Sequence, residues 1–527
     1  MIGAETSTEI LPTLTDARVQ YEQGCLDAAL AACRSHLTRA PRDIDALHLL
    51  GLIRLRQGRS AEAVALLAEV AEHTDNAALL NDLAGACKAA GLTAEALDHL
   101  MALTRSAPDY MPGFYNLGTL LLDLDRDREA LAALREAVRL APDFPDAAHA
   151  MARALLRAGN AAYVDFDASN AEALYREALS YDPLLVAALG NLGNALTLQL
   201  RMDEALASYA HALQLEPDHP EIGFAYALAL LLNGDLTPGW RHYEARLRVG
   251  PMRWNYDRRH DLPHWEPGIP LTGKRVLLMS EQGMGDIVHY ARYFELLSAS
   301  GVSVVPELPN SLRPLFAMPT IGLDDPTPAD CDLAMPLLSA PLVLGTTLET
   351  IPARIPYIHI PEDRLTRWRS WVGERASGQR IGVVCCGDAR HPHDRLRSIP
   401  LVRLAPLLSM PDREFVLVQN DLRDGDKDVR QSMPHLRYPG TALEDFADTA
   451  ALMAQCDLII TVDTSSAHIA GALGLPVWLM LPYSPDYRWL LGRSDSPWYP
   501  TMRLYRQPSL GDWDAVIETV MRDLSRV

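Results

Sequence analysis

Five short strings in the first half, A-P-R-D (40–43), A-P-D-Y (107–110), A-P-D-F (141–144), D-P-L-L (182–185) and E-P-D-H (216–219), place prolines at 41, 108, 142, 183 and 217. The intervals are 67, 34, 41 and 34 residues: two near-34 periods, one period, one period with seven residues inserted, and one more. Self-similarity of this length constrains the fold more than composition does. Each unit is too small to bury its own apolar face and must stack on its neighbours.

Other positions keep the same phase. N-L-G-T (116–119), E-A-L (129–131) and E-A-V (136–138) precede Pro142 as N-L-G-N (191–194), E-A-L (204–206) and H-A-L (211–213) precede Pro217. Gly118 and Ala130, or Gly193 and Ala205, let paired helices approach, while Leu117, Leu134, Leu192 and Tyr209 fill the space between them. The pattern resembles tetratricopeptide repeats over residues 10–250, with about seven units starting near 10, 44, 77, 111, 145, 186 and 220. The seven extra residues fall within 157–171, as a loop or as an extended helix. A superhelix of this kind offers a concave surface to an extended peptide, so a protein partner is expected; a scaffold or dimerisation arm is the alternative. G-W-R-H-Y-E-A-R-L (239–247) reads as a capping helix, and residues 251–273 as the junction to the second half of the chain.

A chain of 527 residues is too long for one core, and at least two domains are expected. The net charge of −20 argues against nucleic acid or an anionic membrane surface as partner. The first residues, M-I-G-A-E-T-S-T-E-I, lack the basic and apolar regions of a secretory signal, and no apolar run is long enough to span a bilayer. Seven cysteines without C-x-x-C spacing predict reduced thiols, a cytoplasmic location and no zinc site.

From Lys274 onward apolar runs alternate with helical patterns, as in parallel α/β sheets. Strands are expected at 275–280, 302–307 and 331–335, then at 380–386, 414–419, 457–462 and 476–481. The expected fold is therefore α plus α/β: a helical superhelix, then two Rossmann-like halves at 274–361 and 380–527, joined by a linker helix at 362–379 and closed by a helix at 512–526. That is the GT-B arrangement.

Two turns carry the chemistry. E-Q-G-M-G-D (281–286) follows the first strand, and an acid stands where a phosphate on the backbone N–H groups would be repelled. Asp286 is then either an N-cap on the following helix or an acid with its own chemistry. The second turn, D-T-S-S-A-H (463–468), lets Thr464, Ser465 and Ser466 cap a helix whose first N–H groups suit an anion, a diphosphate above all.

Together with H-x-x-D-R-x-R-S (391–398), Y-S-P-D-Y-R-W (483–489) and D-S-P-W-Y-P (495–500), these turns make residues 274–515 similar to heptosyltransferase-like GT-B enzymes. The whole chain resembles tetratricopeptide-repeat glycosyltransferases that modify proteins, flagellin among them. The resemblance implies a nucleotide-sugar co-substrate, no other cofactor, and Asp286 as the base that deprotonates the acceptor hydroxyl. Gly283 and Gly285 shape the acceptor turn, with His289 as a second candidate acid or base. Arg395 and Arg397 would clamp donor phosphates, and His468 would reach the phosphate or ribose. Asp463 would orient the turn, while Tyr487, Arg488 and Trp489 would flank the base or sugar. The single D-G-D (424–426) matches a metal-holding pattern but is expected on a charged surface loop, so no required metal is expected. A lipopolysaccharide or lipid-linked acceptor, and a non-catalytic scaffold, are the rival functions; homo-oligomers remain open.

Overall fold

The computed structural model describes residues 13–375, 378–391 and 393–526. The expected repeat start near residue 10, two positions of the expected linker helix (376 and 377) and Pro392 lie outside the described residues.

Seven helical hairpins keep register with the sequence period: α1 (Leu14–Glu22) and α2 (Leu26–Leu37), α3 (Ile44–Arg56) and α4 (Ser60–Ala71), α5 (Ala77–Ala89) and α6 (Thr93–Ser106), α7 (Met111–Asp123) and α8 (Asp127–Leu140), α9 (Pro145–Val164) and α10 (Ala168–Tyr181), α11 (Val186–Leu198) and α12 (Met202–Leu215), α13 (Pro220–Asn233) and α14 (Leu236–Tyr243). Helix starts reflect local chemistry. Asp43 accepts from the Ala46 N–H at 3.1 Å, Asn76 from the Ala78 N–H at 2.9 Å, and Pro145 and Pro220 open α9 and α13, where the missing N–H costs nothing. Small residues are required between paired helices. A Cβ on Gly118 would lie 2.5 Å from Leu134, and one on Gly159 would lie 2.5 Å from the Tyr175 ring. The seven inserted residues lengthen a helix rather than form a loop: α9 has 20 residues where α7 has 13.

Packing divides the chain into Met1–Ala195 and Leu196–Val527. The repeat phase runs on to 250, yet the last hairpin packs with the α/β part, as when the Trp240 indole donates to the Thr346 carbonyl at 3.1 Å. The phase of the repeats and the packing boundary therefore differ. Trp240 and Tyr243 are the buried large side chains that bind α14 to that unit.

A helix, α15 (Gly250–Asp257), precedes the first sheet. This sheet holds β1 (Arg275–Met279), β2 (Ser303–Pro306) and β3 (Leu333–Pro336), all parallel in the order β2-β1-β3. It carries α16 (Met284–Tyr290), α17 (Tyr293–Ala299) and α18 (Ala340–Val343). After α19 (Glu362–Val372) come β4 (Gln379–Val384), α20 (Asp394–Arg397), α21 (Leu401–Leu408), β5 (Arg413–Leu417), α22 (Asp424–Gln431), α23 (Phe446–Met453), β6 (Leu458–Val462), α24 (Ser465–Ala472), β7 (Val477–Leu481), β8 (Met502–Arg506) and α25 (Trp513–Leu524). The five strands are parallel in the order β5-β4-β6-β7-β8. Strand β8 has no counterpart among the strands expected from sequence, because M-R-L-Y-R carries two arginines and forms an edge.

Each sheet changes winding direction once beside its first strand. The chain leaves β1 for β2 on one side and returns to β3 on the other, and leaves β4 for β5 before returning to β6. The loops after β1 and β4 are therefore the switch points where open α/β sheets hold ligands.

Candidate functional site

The loop after β1 turns through Gln282, whose φ of +59° is left-handed, and Gly283 opens α16 in an extended conformation. Asp286, the third residue of α16, turns back and accepts the Gly283 N–H at 2.9 Å. It is thus an N-terminal cap of its own helix, one of the two roles its position allowed. Its other carboxylate oxygen is held by Arg488, which also donates to Asp486 at 2.9 Å and lies 4.4 Å over the Tyr487 ring. Burial raises the Asp286 carboxyl above its ordinary range, with the Arg488 cation opposing. Arg488, expected to flank the base or sugar, is paired with both acids in this structure. It is the buried cation that ties the loop after β7 to the turn after β1.

Directly opposite stands α24. Thr464 caps it in extended geometry without a side-chain hydrogen bond, and its buried hydroxyl has no partner among the described residues. The crevice expected between the two turns is closed at Gly285. A Cβ there would lie 2.9 Å from His468 Cδ2, 3.2 Å from Ser465 Cα and 3.5 Å from the Ser465 nitrogen. The bare glycine backbone lets α16 rest flush against the first turn of α24, so the two turns confront one another in contact.

Both histidines belong to the seam that this contact makes. The Tyr499 hydroxyl lies 3.1 Å from Nδ1 of His289 and 3.0 Å from Nδ1 of His468. The His468 ring stacks on Trp489 at 5.4 Å, and Trp489 itself is fully buried. Arg292, 4.4 Å over the Tyr499 ring, donates to the Trp498 carbonyl at 2.7 Å and to the Tyr357 hydroxyl at 3.0 Å. Burial disfavours the charged form of both imidazoles and holds them well below their ordinary range. His468, expected to reach a phosphate or ribose, His289, the second candidate acid or base, and Tyr487 and Trp489, expected to flank the base or sugar, are all buried in the seam in this structure. Sequence spacing could not show this, because Tyr499 lies far along the chain from both histidines.

The loops after β4 and β6 meet at Arg397, which donates to the Asp463 carbonyl at 3.0 Å. A Cβ on Gly387 would meet the same guanidinium at 2.9 Å and Thr464 at 3.1 Å, so this arginine fills the space between the loops. Arg395 is an exposed residue of the short α20. Burial, with the Asp486 carboxylate adding to it, pushes Asp463 up to about 7. Ser465 is half-buried and Ser466 buried in the first turn of α24. A partly buried cation, a helix N-terminus and an unpartnered hydroxyl thus converge where β4 and β6 end, a combination suited to an anion.

One cluster has no signal in residue spacing. Cys385, Cys386 and Asp426 come together beside Gln419 at the end of β4. Asp426, expected on a surface loop, is buried and accepts the Leu401 N–H at 2.7 Å. Only its neighbour Asp424 faces solvent, paired with Lys427 at 2.8 Å.

With this geometry in hand, comparison with known proteins defines the first part of the chain: residues 112–144 and 156–220 match tetratricopeptide-repeat models, and the protein carries tetratricopeptide repeats. Over 528 aligned positions it is 25% identical to Protein FlbA of Caulobacter vibrioides, spanning 91% of this chain and 84% of that one. Among solved structures it is similar to a tetratricopeptide repeat protein from Parabacteroides merdae (16% identity, 44% of this chain and 89% of the other, TM-score 0.30). It is also similar to the C-terminal part of a TPR repeat-containing protein from Cytophaga hutchinsonii (11% identity, 45% and 96%, TM-score 0.36). No helix among the described residues is long and apolar enough to cross a membrane.

Proposed function

We propose that the chain is a glycosyltransferase of the GT-B type, which moves a sugar from a nucleotide donor to a hydroxyl of a protein acceptor engaged by the repeats. Flagellin Ser or Thr is the preferred acceptor. The observation that carries this reading is the apposition of the Asp286 turn and the start of α24, each at the strand ends of its own parallel sheet. The donor diphosphate would sit on the first N–H groups of α24 beside Thr464 and Arg397, which take up the charge that develops as the nucleotide leaves. Asp286, made more basic by its setting, would take the acceptor proton once Arg488 exchanges to the incoming substrate. In the repeats, the Asn116 amide donates to Asn81 at 2.7 Å, and the Asn191 amide donates to Asn160 at 2.7 Å. Such side chains offer both donors and acceptors to a peptide backbone.

One observation favours a second reading, a non-catalytic scaffold: both Asp286 oxygens are already engaged, by the Gly283 N–H and by Arg488. A thermal-shift screen separates the two. The full chain is heated with UDP-, GDP-, ADP- and CMP-linked sugars, and the transferase reading requires one nucleotide to raise the melting temperature, by the equivalent of about 2.7 kcal/mol at a hundredfold excess over Kd. The same nucleotide sugar must then glycosylate the acceptor, and Asp286→Asn must bind the donor without transferring. Flat melting curves with all four classes leave the scaffold reading, whereas full turnover by the Asn variant would keep the transferase and remove Asp286 as its base.

A further inference from the structure

The switch point of the larger sheet holds two adjacent cysteines, and neither the cap of α16 nor the anion site uses them. Strand β4 ends at Val384, and Cys385 is fully buried while Cys386 is half-buried. Their sulfurs and a carboxylate oxygen of Asp426 all lie within 4.8 Å of one another. We infer that Cys385, Cys386 and Asp426 form a binding site for a thiophilic divalent cation of the zinc or cadmium class.

The surroundings supply what such a site needs beyond its ligands. Gln419 spans both sulfurs: its carbonyl accepts the Cys385 N–H at 2.9 Å and lies 2.9 Å from the Cys385 sulfur, and its amide donates to the Cys386 sulfur at 2.9 Å. An outer contact that fixes the direction of a sulfur lone pair is the usual support of a metal ligand. Both sulfurs give up their protons as the cation binds, as thiol ligands must. Charge also fits. Arg423 is already taken by Asp394 and donates to Ser398 at 3.0 Å, so the cation would face two thiolates and the Asp426 carboxylate. Two sulfurs and one oxygen leave a fourth tetrahedral position for water or the Gln419 carbonyl. Occupation would bear directly on the anion site, since Gly387, the next residue, packs against Arg397 and Thr464.

The test uses the full chain and Zn2+ or Cd2+ alone, and needs no sugar transfer. In the metal-free protein, alkylation at Cys386 is followed by mass spectrometry with and without one equivalent of Zn2+, with the exposed Cys25 as internal control. The expected result is a Cys386 rate lowered by about tenfold or more while Cys25 is unchanged. In parallel, Cd2+ titration should give a saturable thiolate-to-cadmium absorption band at one equivalent. Cys386→Ser should abolish it, and Asp426→Asn should weaken binding by about tenfold or more, as removal even of a supporting contact does. An unchanged Cys386 alkylation rate in the wild type, or a band that survives in a folded Cys385→Ala/Cys386→Ser protein, would overturn the assignment.

Discussion

Arg488→Gln removes the cation at the centre of the seam, and the structure sets the size of the effect. Arg488 has a side-chain exposure of 5% and its partner Asp286 one of 21%, so the pair is largely withdrawn from water, whereas Asp486 is 37% exposed and its link is screened. Taking one partner from a buried pair costs about 3–5 kcal/mol, and the partial exposure of Asp286 points to the lower end. Loss of the contact over the Tyr487 ring adds about 0.5–1 kcal/mol. The expected loss is about 3–4 kcal/mol, or roughly 6–8 °C in Tm at about 2 °C per kcal/mol. Because the carboxyl of Asp286 is already raised by burial and rises further without Arg488, the folded state of the variant binds a proton more readily than the unfolded chain. The deficit should therefore be largest at neutral pH and shrink as pH falls toward the carboxylate range. Differential scanning calorimetry at about pH 7.5 and 5.0 reads both effects. The double variant Asp286→Asn/Arg488→Gln should recover about half of the loss, since no buried carboxylate is left unpaired. A loss under about 1 kcal/mol, or a double variant as unstable as the sum of the singles, would refute the assignment of Arg488 as the pin of this seam.

Three further outcomes are expected. Asp463 has a folded-state pKa of about 7, above its unfolded value, so its penalty is present above pH 7 and relieved as pH falls through it; Asp463→Asn should raise Tm relative to the wild type at about pH 8 and lose that advantage at about pH 5, by calorimetry. Arg397→Ala should weaken nucleotide binding in calorimetric titration by about tenfold or more, the worth of a charge-assisted hydrogen bond, with unchanged affinity counting against an anion at α24. Gly378→Ala combines a φ of +57° with a Cβ 1.9 Å from the Asp412 carbonyl, and should cost roughly 3 kcal/mol or more in denaturant unfolding, where a shift within error would show that the turn before β4 yields freely.

The repeats are legible in the sequence because each unit carries its own signals: the phase of prolines 41, 108, 142, 183 and 217 alone locates the hairpins from α3 onward. Seven of the eight strands among the described residues are legible as apolar runs, while β8 is hidden by its alternating arginines. The two turns are legible as strand-to-helix junctions, but not their closure, which depends on the absence of a side chain at Gly285 and on partners far along the chain. His289 and His468 read as site candidates because nothing in their own stretches of sequence announces the shared contact with Tyr499. Cys385, Cys386 and Asp426 are illegible for the same reason: the sheet order, not residue spacing, brings the end of β4 beside α22.

The long helix α9 shows why an insertion of seven residues is tolerated where one of about five or nine would not be. At about 100° per residue, seven residues rotate the chain by about 700°, within about 20° of two whole revolutions, and raise the helix by about 10.5 Å. The inward stripe is thereby returned almost to its starting azimuth, and Gly159 still meets Tyr175 as Gly118 meets Leu134 in the shorter hairpin. A stacked array can lengthen one helix in such whole-turn steps and keep its inward stripe in phase, here with Val164 left exposed at the helix end.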